Sequence, residues 1–345
     1  MQRLLTTLVL ATTAALGQAQ QTVNTDFESG TLDWVGPEGP GGMTGVLPTV
    51  GNGGGAGYRT IFNNFFVTFF NGKNAAYLGD YSSYDSVTLS IDVKVNLIEF
   101  FFSPVPRPWL VELRNYDLAQ GSYPWTSVWF KWADISEATH GDWTTFSVTI
   151  DDPTSATLPA GWRGYGAEDP VTFEPELPAG VTFADVLAGV DEVAFTTGEP
   201  GFFFGFTDFD LVLDNIKIET TGGTFNDLGS SLAGASGTPQ MFGAGSLAAN
   251  ESTLIGLSNA APNSVAFLGV GTANLNLPFF GGNLVPSGDV AILPLFTNEV
   301  GYLPYSFDWP AGVAPGADLF WQYWVVDPSG PEGLTASNAL VCTTP

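Results

Sequence analysis

The sequence contains little that could crosslink the chain or carry positive charge. It has one cysteine, Cys342, and only 9 lysines and arginines against 35 aspartates and glutamates, for a formal net charge of −26. A single cysteine excludes an intrachain disulfide. We expect Cys342 to be a small buried residue on the last strand, with a crosslink to another chain as the alternative. Nucleic acid is excluded as a partner, because binding phosphates needs clustered lysine and arginine. Divalent cations are plausible partners, although the acidic charge alone would also keep an exported protein soluble.

Residues for catalysis are scarce as well. His140 is the only histidine, and no G-x-S-x-G motif is present. A Ser-His-Asp triad and a zinc enzyme therefore both lack their residues. We name no catalytic residue and expect a non-catalytic protein. Because acidic residues abound, the paired carboxylates of a glycan-acting enzyme stay open as a weaker alternative.

Residues 1–19 have the pattern of a secretory signal peptide. Arg3 supplies a positive charge, an apolar core follows over 4–16, and small residues stand at 17–19. No later stretch is long and apolar enough to span a bilayer. We expect a secreted or cell-surface protein without a transmembrane segment.

The residues that are plentiful indicate an all-β protein. The chain has 42 glycines and 24 prolines, which separate short segments rich in aromatic and β-branched residues. Near 220–231 glycine, threonine and serine replace apolar residues, which indicates a domain boundary. We predict a jelly-roll β-sandwich over 20–221, a linker over 222–231 and a smaller C-terminal β-sandwich over 232–345.

Alternation of apolar and polar residues predicts individual strands in both domains. The clearest strand is 86–96, where the odd-numbered positions are apolar and the even-numbered ones are polar. One short helix is predicted over 183–190. Further strands are predicted over 109–116, 127–132, 143–150, 190–197, 252–257, 264–270, 289–296, 318–326 and 335–342.

Three acidic residues predict a calcium site where the first and last strands of the first domain meet. Asp26 and Glu28 lie near its start, and Asp214 lies on its closing strand. Asp214 shares parity with apolar residues, and the apolar phase slips at Asp214–Asn215, which predicts a bulge. A charged carboxylate there needs compensation, and oxygen ligands suit calcium. The alternative is that Asp214 accepts hydrogen bonds from a neighbouring turn.

A second set of residues predicts a ligand-binding face. If the apolar positions pack inward, the outward positions gather charged side chains around an exposed tryptophan. Sugars bind to such surfaces by stacking on the indole while charged groups take their hydroxyls. The alternative is a solvated face with cross-strand ion pairs such as Lys94 with Glu112. The predicted contacts are Trp129, Lys131, Arg114, Lys94 and Glu112.

Phenylalanine occurs in short runs at 65–66, 69–70, 100–102 and 202–204. Aromatic residues at loop tips can clamp an apolar ligand or a partner protein. We favour the other interpretation, in which these runs belong to buried strands or to loops packed over one end of the sandwich.

The first domain resembles galactose-binding-like β-jelly-rolls, including carbohydrate-binding modules and the laminin B (laminin IV) domain. Residues 26–30 are similar to the opening strand of carbohydrate-binding modules, 141–148 to a middle strand, and 213–216 to the closing strand. The laminin B likeness rests on 78–84, 183–188 and 213–215. Such families commonly carry a structural calcium between the first and last strands, which implies Glu28 and Asp214 here. The last domain is similar to C-terminal β-domains of secreted bacterial proteins.

Two functions follow as hypotheses. The first is a secreted, non-catalytic, calcium-stabilised protein that binds extracellular carbohydrate. The second is a structural or adhesive surface protein that binds other proteins. An exposed Trp129 beside Arg114 would favour carbohydrate binding, and a buried Trp129 would favour the structural role.

Overall fold

The structure, a computed structural model, describes residues 20–235 and 237–345. The predicted signal peptide, 1–19, lies outside the described residues. Within the part described, no helix has the length and apolar character needed to cross a membrane.

The first domain is built from strands joined by long loops and two short α-helices. Its helices are α1 (Glu137–His140) and α2 (Phe183–Leu187), and α2 begins with a capping box between Thr182 and Asp185. Its strands are β1 (Gln20–Thr25), β2 (Met43–Leu47), β3 (Gly57–Asn64), β4 (Thr68–Asn71), β5 (Ser86–Phe100), β6 (Ser103–Pro104), β7 (Arg107–Asn115), β8 (Thr126–Ile135), β9 (Thr144–Ile150), β10 (Trp162–Tyr165), β11 (Ala167–Glu168), β12 (Pro175–Glu176), β13 (Glu192–Thr196) and β14 (Thr207–Thr221).

Twelve of these strands form two sheets that pack face to face, and β11 and β12 form a separate two-stranded sheet. Within the described residues, one sheet has seven strands, with β2, β3, β14, β5 and β6 in order, β1 paired to β14 and β9 paired to β5. The other has five strands in the order β10, β8, β7, β13, β4. The odd-numbered residues of β5 from Val87 to Val95 point into the shared core, as their alternation predicts. Trp109 and Phe195 fill the core from the five-stranded sheet.

The first and last strands of this domain are antiparallel neighbours, as expected, but the first strand is 20–25, and residues 26–30, expected to be the opening strand, form a turn just after it. Gln20 lies opposite Thr221, and the pairing continues to Thr25 opposite Ile216. The predicted bulge is also confirmed, because the register of β14 against β5 shifts between Asp214 and Lys217. Asn215 takes a positive φ of 47° there.

The second domain repeats the sandwich arrangement on a smaller scale. A six-stranded sheet runs β15, β25, β23, β18, β21 with β24 on β23, and a three-stranded sheet runs β16, β17, β22. The all-β prediction of two successive β-sandwiches is therefore confirmed. The strands are β15 (Phe225–Asp227), β16 (Gln240–Ala244), β17 (Ser252–Ser258), β18 (Val265–Gly271), β19 (Asn274–Phe279), β20 (Gly282–Pro286), β21 (Ala291–Phe296), β22 (Leu303–Asp308), β23 (Asp318–Val326), β24 (Leu334–Ala336) and β25 (Leu340–Thr343).

The two domains are joined by direct contacts. Residues 225–227 of the predicted linker form β15, which pairs with β25. Phe242 and Tyr302 of the second domain pack into the core of the first. The Gln21 side chain donates to the Gly243 carbonyl at 2.9 Å and accepts from the Gly243 amide at 2.7 Å. These two hydrogen bonds link β1 to β16 in the way that a pair of backbone hydrogen bonds links neighbouring strands.

Candidate functional site

A glycine-rich loop holds two of the predicted calcium ligands. The Asn52 amide donates to Asp214 Oδ2 at 2.7 Å, and the Ala56 amide donates to Glu28 Oε1 at 2.6 Å. Gly51 and Gly55 permit this approach, because a Cβ on Gly51 would meet the Ala56 carbonyl and one on Gly55 would meet the Glu28 carboxylate. The loop thus joins the end of β1 to the bulge of β14. The contact of this glycine run with the acidic residues was not predicted, because it joins distant parts of the chain.

The carboxylates in this corner lack a positively charged partner. Asp214 lies directly across from Asp92 on β5. Asp92 accepts from the Asn52 and Asn215 side-chain amides at 2.9 and 2.8 Å. Among residues 20–235 and 237–345, no ion pair involves Asp26, Glu28, Asp92 or Asp214.

Burial and mutual repulsion change the ionisation of two of these groups. Burial raises the pKa of Asp214 to about 7, and the charges of Asp26 and Asp92 add to this against the amide donors. Burial also raises the pKa of Asp26, with a contribution from the Glu28 charge. No three His, Cys, Asp or Glu side chains of the described chain converge into a group that could hold a metal ion. The alternative stated for Asp214 is what the structure shows, since Asp214 accepts hydrogen bonds from the glycine-rich loop and from Asn215, and calcium stays a prediction.

A different arrangement occupies the outer face of the five-stranded sheet. Arg114 on β7 forms ion pairs with Glu112 at 2.6 Å and with Glu192 on β13 at 2.5 Å. Burial lowers the pKa of Arg114, but the charges and hydrogen bonds of the two glutamates outweigh it, so the pKa is raised. Ser127 donates to Glu112 Oε1 at 2.6 Å. We call Glu112, Arg114 and Glu192 the charge network.

Four partly exposed aromatic side chains border the charge network. Their ring centroids form a continuous series, 6.1 Å from Tyr116 to Trp125, 6.2 Å from Trp125 to Tyr165 and 5.2 Å from Tyr165 to Tyr123. We call these four residues the aromatic rim.

Hydrogen bonds fix the rim to the network. The Trp125 indole N–H donates to Glu112 Oε1 at 3.0 Å, and the Arg114 guanidinium lies 4.1 Å from the Trp125 ring centroid. The Tyr116 hydroxyl donates to Glu192 at 3.0 Å. The result is a set of aromatic faces held in fixed orientations beside charged hydrogen-bonding groups.

The aromatic rim was not predicted, although the sequence carries a signal for it. Tyr116 follows β7 and Trp125 precedes β8, and these two strands are antiparallel neighbours. Residues at facing ends of one hairpin connection must lie close together. Tyr165 joins them because β10 pairs with β8, a long-range pairing with no local sequence signal.

The prediction that Trp129 presents an exposed ring is wrong. Its side chain does face outward beside Glu112, but it is only 2% exposed. Strand β10 places Arg163 opposite Trp129, and the guanidinium lies 5.4 Å from the ring centroid. The Trp129 indole N–H donates to the Gly164 carbonyl at 3.3 Å. By the criterion stated above, this burial favours the structural or adhesive role of the protein over carbohydrate binding through Trp129.

The other predicted contacts are divided between two sheets. Glu112, Arg114 and Lys131 share the outer face of the five-stranded sheet. The Lys131 ammonium is engaged there by Asp134 at 2.9 Å and Glu199 at 3.0 Å. Lys94 lies on β5 of the opposite sheet, so the prediction that it joins this face is wrong. Alternation predicts that these side chains face outward, but it does not predict which of the two sheets each one belongs to.

Phenylalanines from three loops meet at one end of the first sandwich. Phe65 lies 4.8 Å from Phe203 and 4.0 Å from Phe206 between ring centroids. The interpretation of these runs as buried strands or end-packed loops is right for Phe69, which is fully buried, and wrong for the five members that are exposed, Phe66, Phe101, Phe102, Phe202 and Phe203. We call the exposed members the phenylalanine tip, with exposed fractions of 49% for Phe66, 79% for Phe101, 88% for Phe102, 63% for Phe202, 75% for Phe203 and 56% for Phe206.

Comparisons with known proteins give structural similarity at a low level. No protein-family model matches the chain, and no curated protein matches it by sequence. Among solved structures, the CBM22-2 xylan-binding domain of Paenibacillus barcinonensis Xyn10C is 11% identical, with a TM-score of 0.33, covering 58% of this chain and 99% of that one. The CBM22-1 domain of the same protein is 12% identical, with a TM-score of 0.33, over 60% and 98%. The tandem of both domains is 10% identical, with a TM-score of 0.33, over 96% and 92%.

Proposed function

We propose that the protein is a secreted, non-catalytic carbohydrate-binding protein and that the aromatic rim is its binding surface. The observation that carries this proposal is the junction of the rim with the charge network. A sugar ring offers an apolar C–H face for Tyr116, Trp125 or Tyr165, and its hydroxyls suit the carboxylates and guanidinium beside them. Because Tyr116 and Trp125 are already hydrogen-bonded to Glu192 and Glu112, these two side chains lose little rotamer freedom when a ligand binds.

Neutral glycans fit this surface best. The two carboxylates outweigh the single positive charge of Arg114, so the charge network as a whole is negative. An acidic sugar would be repelled, whereas neutral hydroxyls can both donate to and accept from these groups.

A glycan array tests the proposal. The full chain should bind neutral glycans, and Trp125→Ala should reduce that signal by roughly tenfold or more, because a stacking contact of about 1.5 kcal/mol is lost. Phe280→Ala is the control, since Phe280 is an exposed aromatic residue of the second domain. Binding that survives Trp125→Ala and Tyr116→Ala unchanged would exclude the rim as the binding surface.

We also propose that calcium binds in the acidic corner, with Glu28 and Asp214 as ligands and Asp26 close by. The uncompensated charge and the all-oxygen donor set support this. Each carboxylate oxygen has two lone pairs, so the amide bonds from the loop leave acceptor capacity for a cation. When bound, calcium would neutralise the corner and tie the end of β1 to β14.

Chelation tests the calcium proposal. Adding EDTA should lower the melting temperature by several degrees, and Asp214→Asn should remove this dependence. Asp80→Asn serves as the control, since Asp80 is an exposed acidic residue that caps a 3₁₀ helix elsewhere. Equal melting temperatures with calcium and with EDTA would contradict the proposal.

The phenylalanine tip supports a second candidate function, the adhesive one. Phe101 and Phe102 are among the most exposed apolar side chains described and lie at the end of a hairpin. Exposed aromatic clusters of this size mark interaction surfaces. If the tip attaches the protein to its producing cells, Phe101→Ser with Phe102→Ser should abolish co-sedimentation with those cells. Loss of attachment in Trp125→Ala instead would assign it to glycan binding.

A glycan-acting enzyme is less well supported. Both carboxylate oxygens of Glu112 and of Glu192 already accept hydrogen bonds from other side chains, Arg114 among them. A glycosidase needs one of its two carboxyl groups protonated to donate to the leaving group.

A further inference from the structure

A groove of about 400 Å³ crosses the outer face of the seven-stranded sheet, on the opposite side of the sandwich from the aromatic rim. It runs between the glycine-rich loop and the segment that leads into β9. Its lining includes Thr49, Gly51, Arg59, Lys94, Asn96 and Trp143.

The register of the sheet places three of its residues in one row. Arg59 on β3 lies opposite Val212 on β14, and Val212 lies opposite Lys94 on β5. Their neighbours along the strands, including Leu211, Leu213 and Val95, belong to the inner core. The row therefore faces outward, with buried Val212 as a floor between two cationic side chains.

Trp143 extends this row at the next strand. Val93 pairs with Thr144 at the start of β9, so Trp143 lies one residue beyond, on the side of Lys94. Its side chain is partly exposed. The indole and the Lys94 ammonium thus border the same groove.

The two cations differ in what already binds them. Arg59 forms a bidentate pair with Asp210, through Nε at 2.9 Å and Nη2 at 2.6 Å, which leaves Nη1 for another acceptor. Lys94 forms no side-chain hydrogen bond or ion pair within the described residues. Of the other lysines and arginines there, the exposed Lys73 and Arg163 likewise form no side-chain hydrogen bond or ion pair, but Arg163 lies over the Trp129 ring. An unpaired, half-buried ammonium is unexpected in a chain of net charge −26.

The acidic groups near Lys94 are occupied by other donors. Asp210 binds Arg59 and also accepts from Asn96 at 3.1 Å. Asp92 accepts from Asn52 and Asn215 and from the Thr145 hydroxyl at 2.5 Å. Asp214 accepts the Asn52 amide. Each carboxylate is turned toward neutral donors or Arg59, and Lys94 remains available to an incoming anion.

We propose that this groove is a second saccharide site and that it binds acidic sugars, such as uronic acids. The ring stacks on Trp143, its carboxylate pairs with Lys94, and Arg59 Nη1 donates to a neighbouring oxygen. An open groove with an aromatic wall suits a sugar ring. A highly acidic chain excludes nucleic acid as the source of the anion. This site shares no residue with the aromatic rim and does not depend on glycan binding there.

Calorimetric titration of the full chain tests the proposal. The two ligands are hexagalacturonic acid and its methyl ester, which is the matched neutral compound. The acid should bind more tightly than the ester, and added salt should reduce the difference. Lys94→Gln should weaken binding of the acid about fivefold and leave the ester unaffected. Trp143→Ala should weaken both ligands. Lys73→Gln is the matched control and should change neither.

Three outcomes would overturn the proposal. They are no binding of hexagalacturonic acid, equal affinity for acid and ester, or equal effects of Lys94→Gln and Lys73→Gln. Melting temperatures of the variants show whether they are folded. Trp125→Ala separates the two sites, because it should weaken neutral glycan binding at the aromatic rim by roughly tenfold or more and leave acid binding in the groove intact.

Discussion

The two sandwiches share an architecture but satisfy their buried polar groups differently. All eight basic residues of the described chain lie in the first domain, and residues 232–345 contain no lysine, arginine or histidine. The first domain buries charged groups such as Glu112 and Glu192 around Arg114. The second uses neutral amides, of which Gln322 is the clearest example.

Gln322 is fully buried on β23. Its Oε1 accepts from the Val285 amide at 3.0 Å and the Trp324 indole at 3.1 Å, and its Nε2 donates to the Asn283 carbonyl at 3.1 Å. Both domains satisfy their buried donors and acceptors. Of the two arrangements, only the charged side chains of the first domain are suited to binding a polar ligand. This difference explains why both candidate saccharide sites lie in the first domain.

The largest expected effect comes from removing the centre of the charge network. Arg114→Ala leaves two buried carboxylates without their cation, so we expect a loss of about 3–5 kcal/mol in the free energy of unfolding. Lys131→Ala is the control, and its partly exposed pairs should contribute less than about 1 kcal/mol. Denaturant titration measures both. A small effect of Arg114→Ala would mean that the first domain does not depend on its charges.

A smaller loss is expected from the equivalent change in the second domain. Gln322→Leu leaves the Val285 amide and Trp324 indole without an acceptor, which should cost roughly 1–3 kcal/mol. Because no charge is involved, the loss should be the same at low and high salt. Asn274→Ala, at an exposed position on β19, should be nearly neutral. A loss that changes with salt would contradict the proposed distinction between the domains.

Two hairpin turns allow a matched comparison of the domains. Phe101 and Phe102 connect β5 to β6 with φ of 47° and 60°, and Phe280 and Gly281 connect β19 to β20 with φ of 41° and 81°. Positive φ is unfavourable for phenylalanine and favourable for glycine. Phe102→Gly should therefore stabilise the protein by about 1 kcal/mol.

The reciprocal change is the control for this prediction. Gly281→Ala should destabilise the protein by a similar amount or more, since its Cβ would also lie 2.8 Å from Pro331. Thermal melts of both variants measure these changes in stability. If Phe102→Gly lowers the melting temperature, Phe102 contributes packing that outweighs its backbone strain.

Cys342 provides a reporter for the second domain without changing stability. It is buried, it accepts from the Trp321 indole at 3.3 Å, and burial raises the pKa of its thiol to about 11. We expect no reaction with Ellman's reagent at pH 8 in the native protein and full reaction on unfolding. If Arg114→Ala exposes the thiol at the denaturant concentration where the first domain unfolds, the two domains unfold together. Rapid labelling of the native protein would contradict the predicted burial.

Local pattern predicted much of the strand content and little of the loop structure. The alternation over 86–96 identified most of β5, and the phase slip at Asp214 identified the bulge. Strands β2, β3 and β4 were missed because glycines and clustered phenylalanines obscure their alternation. The hairpin of β19 and β20 was missed because both strands lie mostly exposed and carry no inward pattern.

The sequence by itself determined which side chains of a strand face inward, that the ends of the first domain meet at an acidic corner, and that the second domain is free of positive charge. Only the tertiary structure decided that Lys94 and Arg114 lie on opposite sheets, that Arg163 covers Trp129, and that Tyr165 completes the aromatic rim. The physical reason is the range of the interactions. Alternation follows from the two-residue repeat of a single strand, whereas sheet membership and loop cover depend on pairings between distant segments.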